Sequence, residues 1–113
     1  MRIHPMLAML SFLTACGADQ ALSVNGITTH TLSVAVGQEL DLMLSTVGPG
    51  QYSSPPLVSS SAVRFLDDSI VGPFTPGGPT QRFRFQAAVH GQAVVTFTHT
   101  GGNPTVQDTV NVQ

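Results

Sequence analysis

From Thr28 onward, apolar and polar side chains alternate with a period of two, and this restricts the fold of the 113-residue chain more than any other feature. Neighbouring side chains of an extended strand point to opposite faces, so such a stretch buries one face and wets the other. Glu39 to Ser45 is the clearest case, with Leu40, Leu42 and Leu44 inward and Glu39, Asp41, Met43 and Ser45 outward. His30 to Val36 sets Leu32, Val34 and Val36 against Thr31, Ser33 and Ala35. Gln81 to Ala87 turns Phe83, Phe85 and Ala87 inward, and Gln92 to His99 offers Ala93, Val95 and Phe97 to the same interior. Val110 and Val112 close the last strand, and Asp108, which shares their parity, is expected at a bulge or an exposed strand start.

Turn residues separate these runs, as eleven glycines and eight prolines allow. Gly37-Gln38 and His90-Gly91 read as turns, and Pro55-Pro56 excludes a central strand between Ser53 and Ser61. Ala62 to Leu66 reads as a short strand, Asp67-Asp68 as a turn, and Ser69 to Val71 as a further pairing segment. Gly72 to Pro79 reads as a long loop around Phe74. Glu is scarce and Lys absent, which disfavours helix surfaces, while Val, Thr and Phe favour strands. The expectation is an all-β, immunoglobulin-like antiparallel sandwich of six to eight short strands over residues 28–113.

The first sixteen residues follow another pattern. Met6 to Leu13 is an apolar run too short to span a bilayer as a helix, but of the length of a signal-peptide core. Leu13-Thr14-Ala15-Cys16 follows it, and Cys16 is the single cysteine of the chain. This tetrapeptide resembles the lipobox of bacterial lipoproteins. The resemblance implies a signal helix over residues 1–15, recognition by a peptidase at Leu13, Thr14 and Ala15, and acyl chains such as palmitate on Cys16. Residues 16–27 would then be the lipidated cysteine and a tether. Gly17 in place of an aspartate implies an outer-membrane address, facing the periplasm or the surface. Two or three acyl chains would make attachment practically permanent, because one alone holds a protein only reversibly.

From Leu32 to Gln113 the layout resembles the chagasin-like family, small immunoglobulin-like inhibitors of papain-type cysteine proteases. The resemblance rests on Val36-Gly37-Gln38-Glu39-Leu40, a Gly/Pro loop after it, the Gly-rich Gly77-Gly78-Pro79-Thr80 ahead of an aromatic strand, and the Gly91-led strand with its final loop. It implies that three loops enter a protease cleft together: Val47 to Tyr52, Pro73 to Thr80 and Thr98 to Pro104. The candidate partner-binding residues on them are Gly48, Pro49, Gly50, Tyr52, Phe74, Gly77, Gly78, Thr80, Gly101, Gly102 and Asn103. The family's first loop usually reads Asn-Pro-Thr-Thr-Gly and its third carries Arg-Pro-Trp. This chain has Thr46-Val47-Gly48-Pro49-Gly50 and Thr100-Gly101-Gly102, with no tryptophan anywhere.

Composition narrows the remaining choices. Charged residues are 9% of the chain, against roughly 25% in an ordinary soluble domain. The net charge is −2, so there is no basic patch to neutralise phosphates and nucleic-acid binding is not expected. His30 at a strand start and His90 in a turn are expected to be solvated, while His99 and Asp108 fall on strands that should be neighbours and could pair. No His, Asp and Cys cluster suits a metal, no cofactor is called for, and no Gly-x-Ser-x-Gly elbow marks a nucleophile. A non-enzymatic role is expected. Two readings stay open: a membrane-anchored, non-catalytic immunoglobulin-like module that binds a protein or cell-wall partner, or a chagasin-like inhibitor.

Overall fold

The computed structural model describes residues 20–45, 50–75 and 78–113, with residues 72–75 and 78 given by their backbone course. Eight strands are described: β1 (Leu22–Asn25), β2 (Thr31–Val34), β3 (Glu39–Ser45), β4 (Leu57–Val58), β5 (Val63–Thr75), β6 (Gly78–Ala87), β7 (Gly91–Phe97) and β8 (Val106–Val112). They form two four-stranded sheets, in the orders β1-β3-β6-β5 and β2-β8-β7-β4. The all-β sandwich expected from the alternation is what the chain adopts. Its ladders are mixed, because β1 pairs with β3 and β2 with β8 in parallel, while the other four pairings are antiparallel. The chain enters at the edge of one sheet, crosses to the other as β2, and returns as β3 beside β1, so that β1 and β3 run the same way.

Period two sets the core. Leu40, Leu42, Leu44, Phe83 and Phe85 from one sheet meet Ala93, Val95, Phe97, Val110 and Val112 from the other, and all are buried. The rings of Phe83 and Phe97 approach to 4.8 Å between centroids, tilted by 59°. β6 and β7 therefore do not pair; they face one another across the interior from opposite sheets. Each such ring removes a large apolar area from water, the main favourable contribution in a chain whose single cysteine cannot form an internal disulfide.

Several expectations are corrected. Asp67-Asp68 is not a turn: β5 runs from Val63 to Thr75, with one register shift at Leu66 and a second between Val71 and Thr75. Asp67 stays in the ladder because it accepts a 2.7 Å hydrogen bond from Arg84, and Asp68 accepts one from Ser54 Oγ at 2.8 Å. The long loop from Gly72 to Pro79 shortens likewise, since β5 and β6 pair out to Thr75 and Gly78. Pro73 is tolerated there because β5 is an edge strand. The stretch read as a tether already contains β1. Val36 lies outside β2, exposed in a turn that Gly37 makes with φ +90° and that Gln38 closes by accepting the Ala35 N–H.

The outer face of the first sheet carries charge in pairs. Arg84 reaches Glu39 and Asp67, and Arg82 reaches Asp41 at 2.9 Å. The hydrogen bond from Arg84 holds the Glu39 carboxyl below its ordinary value. Burial holds Asp41 above its own, helped by Glu39 and opposed by Arg82.

Asp108 was expected at a bulge or an exposed strand start. It stands instead in regular register opposite Val95 and is 1% exposed. Its partner is His30, not His99: Asp108 Oδ1 accepts the His30 backbone N–H at 2.8 Å and lies 3.3 Å from Nδ1. His30 is accordingly half-buried, while His90 is exposed as expected. Burial raises the Asp108 carboxyl above its ordinary value, and the His30 hydrogen bonds offset only part of this. A carboxyl raised by folding stabilises fully below its unfolded value, about pH 3.9, and that contribution is lost as pH rises through the folded value. We therefore expect Asp108→Asn to gain stability relative to the wild-type protein as urea midpoints are compared from acid to neutral pH. A difference that does not vary with pH would contradict this.

Candidate functional site

The candidate site is the end of the sandwich where β3 stops and β6 and β8 start. Ser45 pairs with Thr80, and Leu44 with Gln81, so the chain leaving β3 lies beside the chain entering β6. Tyr52 forms an isolated antiparallel bridge with His99, just past the end of β7. The three sequence-predicted loops thus arise at one end. Gly48, Pro49 and Gly77 lie outside the described residues, as do Leu13, Thr14, Ala15 and Cys16. Phe74 and Gly78 are placed by their backbone in β5 and β6, and Thr80 is half-buried in the ladder.

Two features that the sequence reading did not single out hold this end together. The Gln81 side chain accepts the Tyr52 N–H at 2.7 Å and donates to the Tyr52 carbonyl at 3.1 Å. A single buried amide therefore satisfies both backbone groups of a residue that belongs to no strand, where leaving them unpaired would cost about 1–3 kcal/mol. His99, 6% exposed, accepts the Gly101 N–H at 2.9 Å and the Asn103 N–H at 3.4 Å, both on Nδ1. Two donors aimed at Nδ1 place the ring proton on Nε2. His99 thereby shapes the turn from Thr100 to Asn103. Both residues carry the inward parity of their strands, Gln81 with Phe83 and His99 with Phe97, and that was the available signal.

Tyr52, expected on a partner-binding loop, is 1% exposed. Its ring packs edge-on against His99 at 4.8 Å and Phe97 at 6.5 Å, so it anchors the loop to the core. Burial raises its hydroxyl above the ordinary value, and the nearby Asn103 side chain offsets part of this. Gly50 packs so closely on the third loop that a Cβ there would stand 2.7 Å from Gly101 N. Gln51 and Thr100 exchange backbone and side-chain hydrogen bonds beside it. Gly50, Gly101 and Gly102 are exposed and Asn103 is half-buried, which gives a narrow, glycine-rich ridge. Among the described residues no group of three or more His, Cys, Asp or Glu could hold a metal ion.

The two-sheet β-sandwich is a fold that solved proteins share. The cysteine protease inhibitor EhICP2 from Entamoeba histolytica superposes with a TM-score of 0.59 at 10% identity, covering 80% of this chain and 97% of its own. Amebosin superposes with a TM-score of 0.54 at 15% identity, over 83% of this chain and 99% of its own. At such identities the likeness is one of fold. No family model matches the sequence, and no curated protein does either.

Proposed function

We propose that the chain is an inhibitor of papain-type cysteine proteases, held at a bacterial envelope by acyl chains on Cys16, with the loop end of the sandwich as the inhibitory surface. The observation that carries this reading is the convergence of the three loop bases, clamped by Gln81 on Tyr52 and by Gly50 on Gly101. Support comes from the fold, which is shared with EhICP2, a cysteine protease inhibitor. A rigid backbone ridge suits inhibition by occupation of a cleft: its groups are already ordered, so binding loses little conformational freedom. Such a ridge needs no reacting group of its own. The anchor reading rests on Leu13-Thr14-Ala15-Cys16 and the apolar run before it.

The test is a titration of papain with the purified protein. Inhibition at micromolar concentration or below, abolished when Gly77 to Thr80 is replaced, is the expected result. Papain left fully active at every concentration would end the inhibitor reading. The same ridge would then be read as a docking surface for another envelope protein or the cell wall.

A further inference from the structure

The end of the sandwich opposite the loops carries two of the exposed large apolar residues among the described residues, and its turns carry no charged side chain. It is made by the turns from Val34 to Gln38 and from Ala87 to Gln92, joined by the hydrogen bond from Gly37 N–H to the Ala87 carbonyl at 2.7 Å. Neither turn contains Asp, Glu, Lys or Arg, and neither does the neighbouring stretch from Ser59 to Val63. Val36, 40% exposed, and Val89, 51% exposed, stand at this uncharged end. Among the described residues, the other exposed large apolar ones, Leu57, Leu66 and Ile70, lie along the side of the sandwich, where Arg64, Asp67 and Asp68 are also exposed.

The chain leading back to Cys16 leaves from this same end. β1 runs parallel to β3 with Leu22 opposite Leu40, which sets its start at the end away from the loops. The Gln20 carbonyl is held there by Gln38 Nε2 at 2.9 Å, and the same Gln38 side chain accepts the Ala35 N–H. Gln20 stands four residues after Cys16. Even fully extended, four residues reach at most about 14 Å, whereas the seven residues of β3 alone span about 24 Å. An anchor at Cys16 therefore cannot seat the sandwich on the bilayer loop end first.

We infer that this uncharged end is a membrane-seating surface, with Val36 and Val89 resting in the lipid interface and the loop ridge pointing away from it. The inference rests on the anchor reading of Cys16. Interfacial contact favours exposed apolar side chains, and this end supplies two where the tether arrives. The partner this orientation admits is a soluble protein approaching from the aqueous side.

The chain lacks tryptophan, so a single introduced one reports its own surroundings. Val89→Trp and Gln51→Trp, at opposite ends, are made in the full chain, processed in a lipoprotein-making bacterium, and reconstituted in phosphatidylcholine and phosphatidylglycerol vesicles. Brominated phosphatidylcholine then replaces part of the phosphatidylcholine. The expected result is loss of most emission from the Val89→Trp protein and none from the Gln51→Trp protein. Intact mass reads the acylation of Cys16 separately. An acylated protein whose Val89→Trp emission is not quenched, or whose two reporters are quenched equally, overturns the orientation alone. An unmodified Cys16 overturns the anchor and the orientation with it, while leaving protease inhibition untouched.

Discussion

Phe97→Ala is expected to cost about 3–5 kcal/mol, the range for deleting a fully buried aromatic ring. Phe97 has no exposed surface, and its ring meets Phe83 at 4.8 Å, Phe85 at 6.3 Å and Tyr52 at 6.5 Å. It is the point where both sheets and the loop end touch. Removing it leaves a void that two strand ladders, already fixed in register, cannot close. A domain of this size has about 5–15 kcal/mol in total, so the variant should be largely unfolded at physiological temperature. Urea denaturation followed by far-ultraviolet circular dichroism checks this, and a midpoint equal to the wild-type value would disprove the packing described.

Gly50→Ala is expected to act on the loop end itself. Gly50 has φ +106°, a conformation that costs a residue with a Cβ about 1–3 kcal/mol. The added methyl would also stand 2.8 Å from Gly101 Cα and 2.9 Å from His99 Cε1, both inside normal contact distance. Backbone and a packed ring have to move, and the turn from Thr100 to Asn103 moves with them. Gly102→Ala separates the two effects, since Gly102 has φ +93° but a Cβ there meets nothing. Gly50→Ala should therefore lose more thermal stability than Gly102→Ala, and papain inhibition should weaken more than the stability difference explains. Equal losses in both variants would show that the contact between Gly50 and Gly101 carries no weight.

Much of the fold was legible because burial in a sheet follows a period of two. Leu40, Leu42, Leu44, Phe83, Phe85, Val95 and Phe97 all occupy the faces that alternation assigned to them. The parallel pairing of β1 with β3 was not legible, since four residues from Leu22 to Asn25 carry no pattern that tells a strand from a tether. Asp67-Asp68 failed for a different reason: adjacent acids favour turns locally, but Arg84 and Ser54 satisfy them within a strand. The candidate site was legible as three Gly- and Pro-rich loops, while its braces were not. Inward parity marks Gln81 and His99 as facing the interior, but nothing local says which backbone groups they will bond. His30 and Asp108 are 78 positions apart in the chain, and only the β2–β8 register brings them together.

By itself, the sequence determined that this chain forms a two-faced sheet structure of low charge with its apolar side chains turned inward. Alternation acts residue by residue, so it survives whatever the strands later pair with. Tertiary structure alone decided which strands became neighbours, and so which end gathers the loops and at which end β1 begins. Those outcomes depend on ladder order and register, and both arise from contacts between residues distant in the chain, where no local preference reaches.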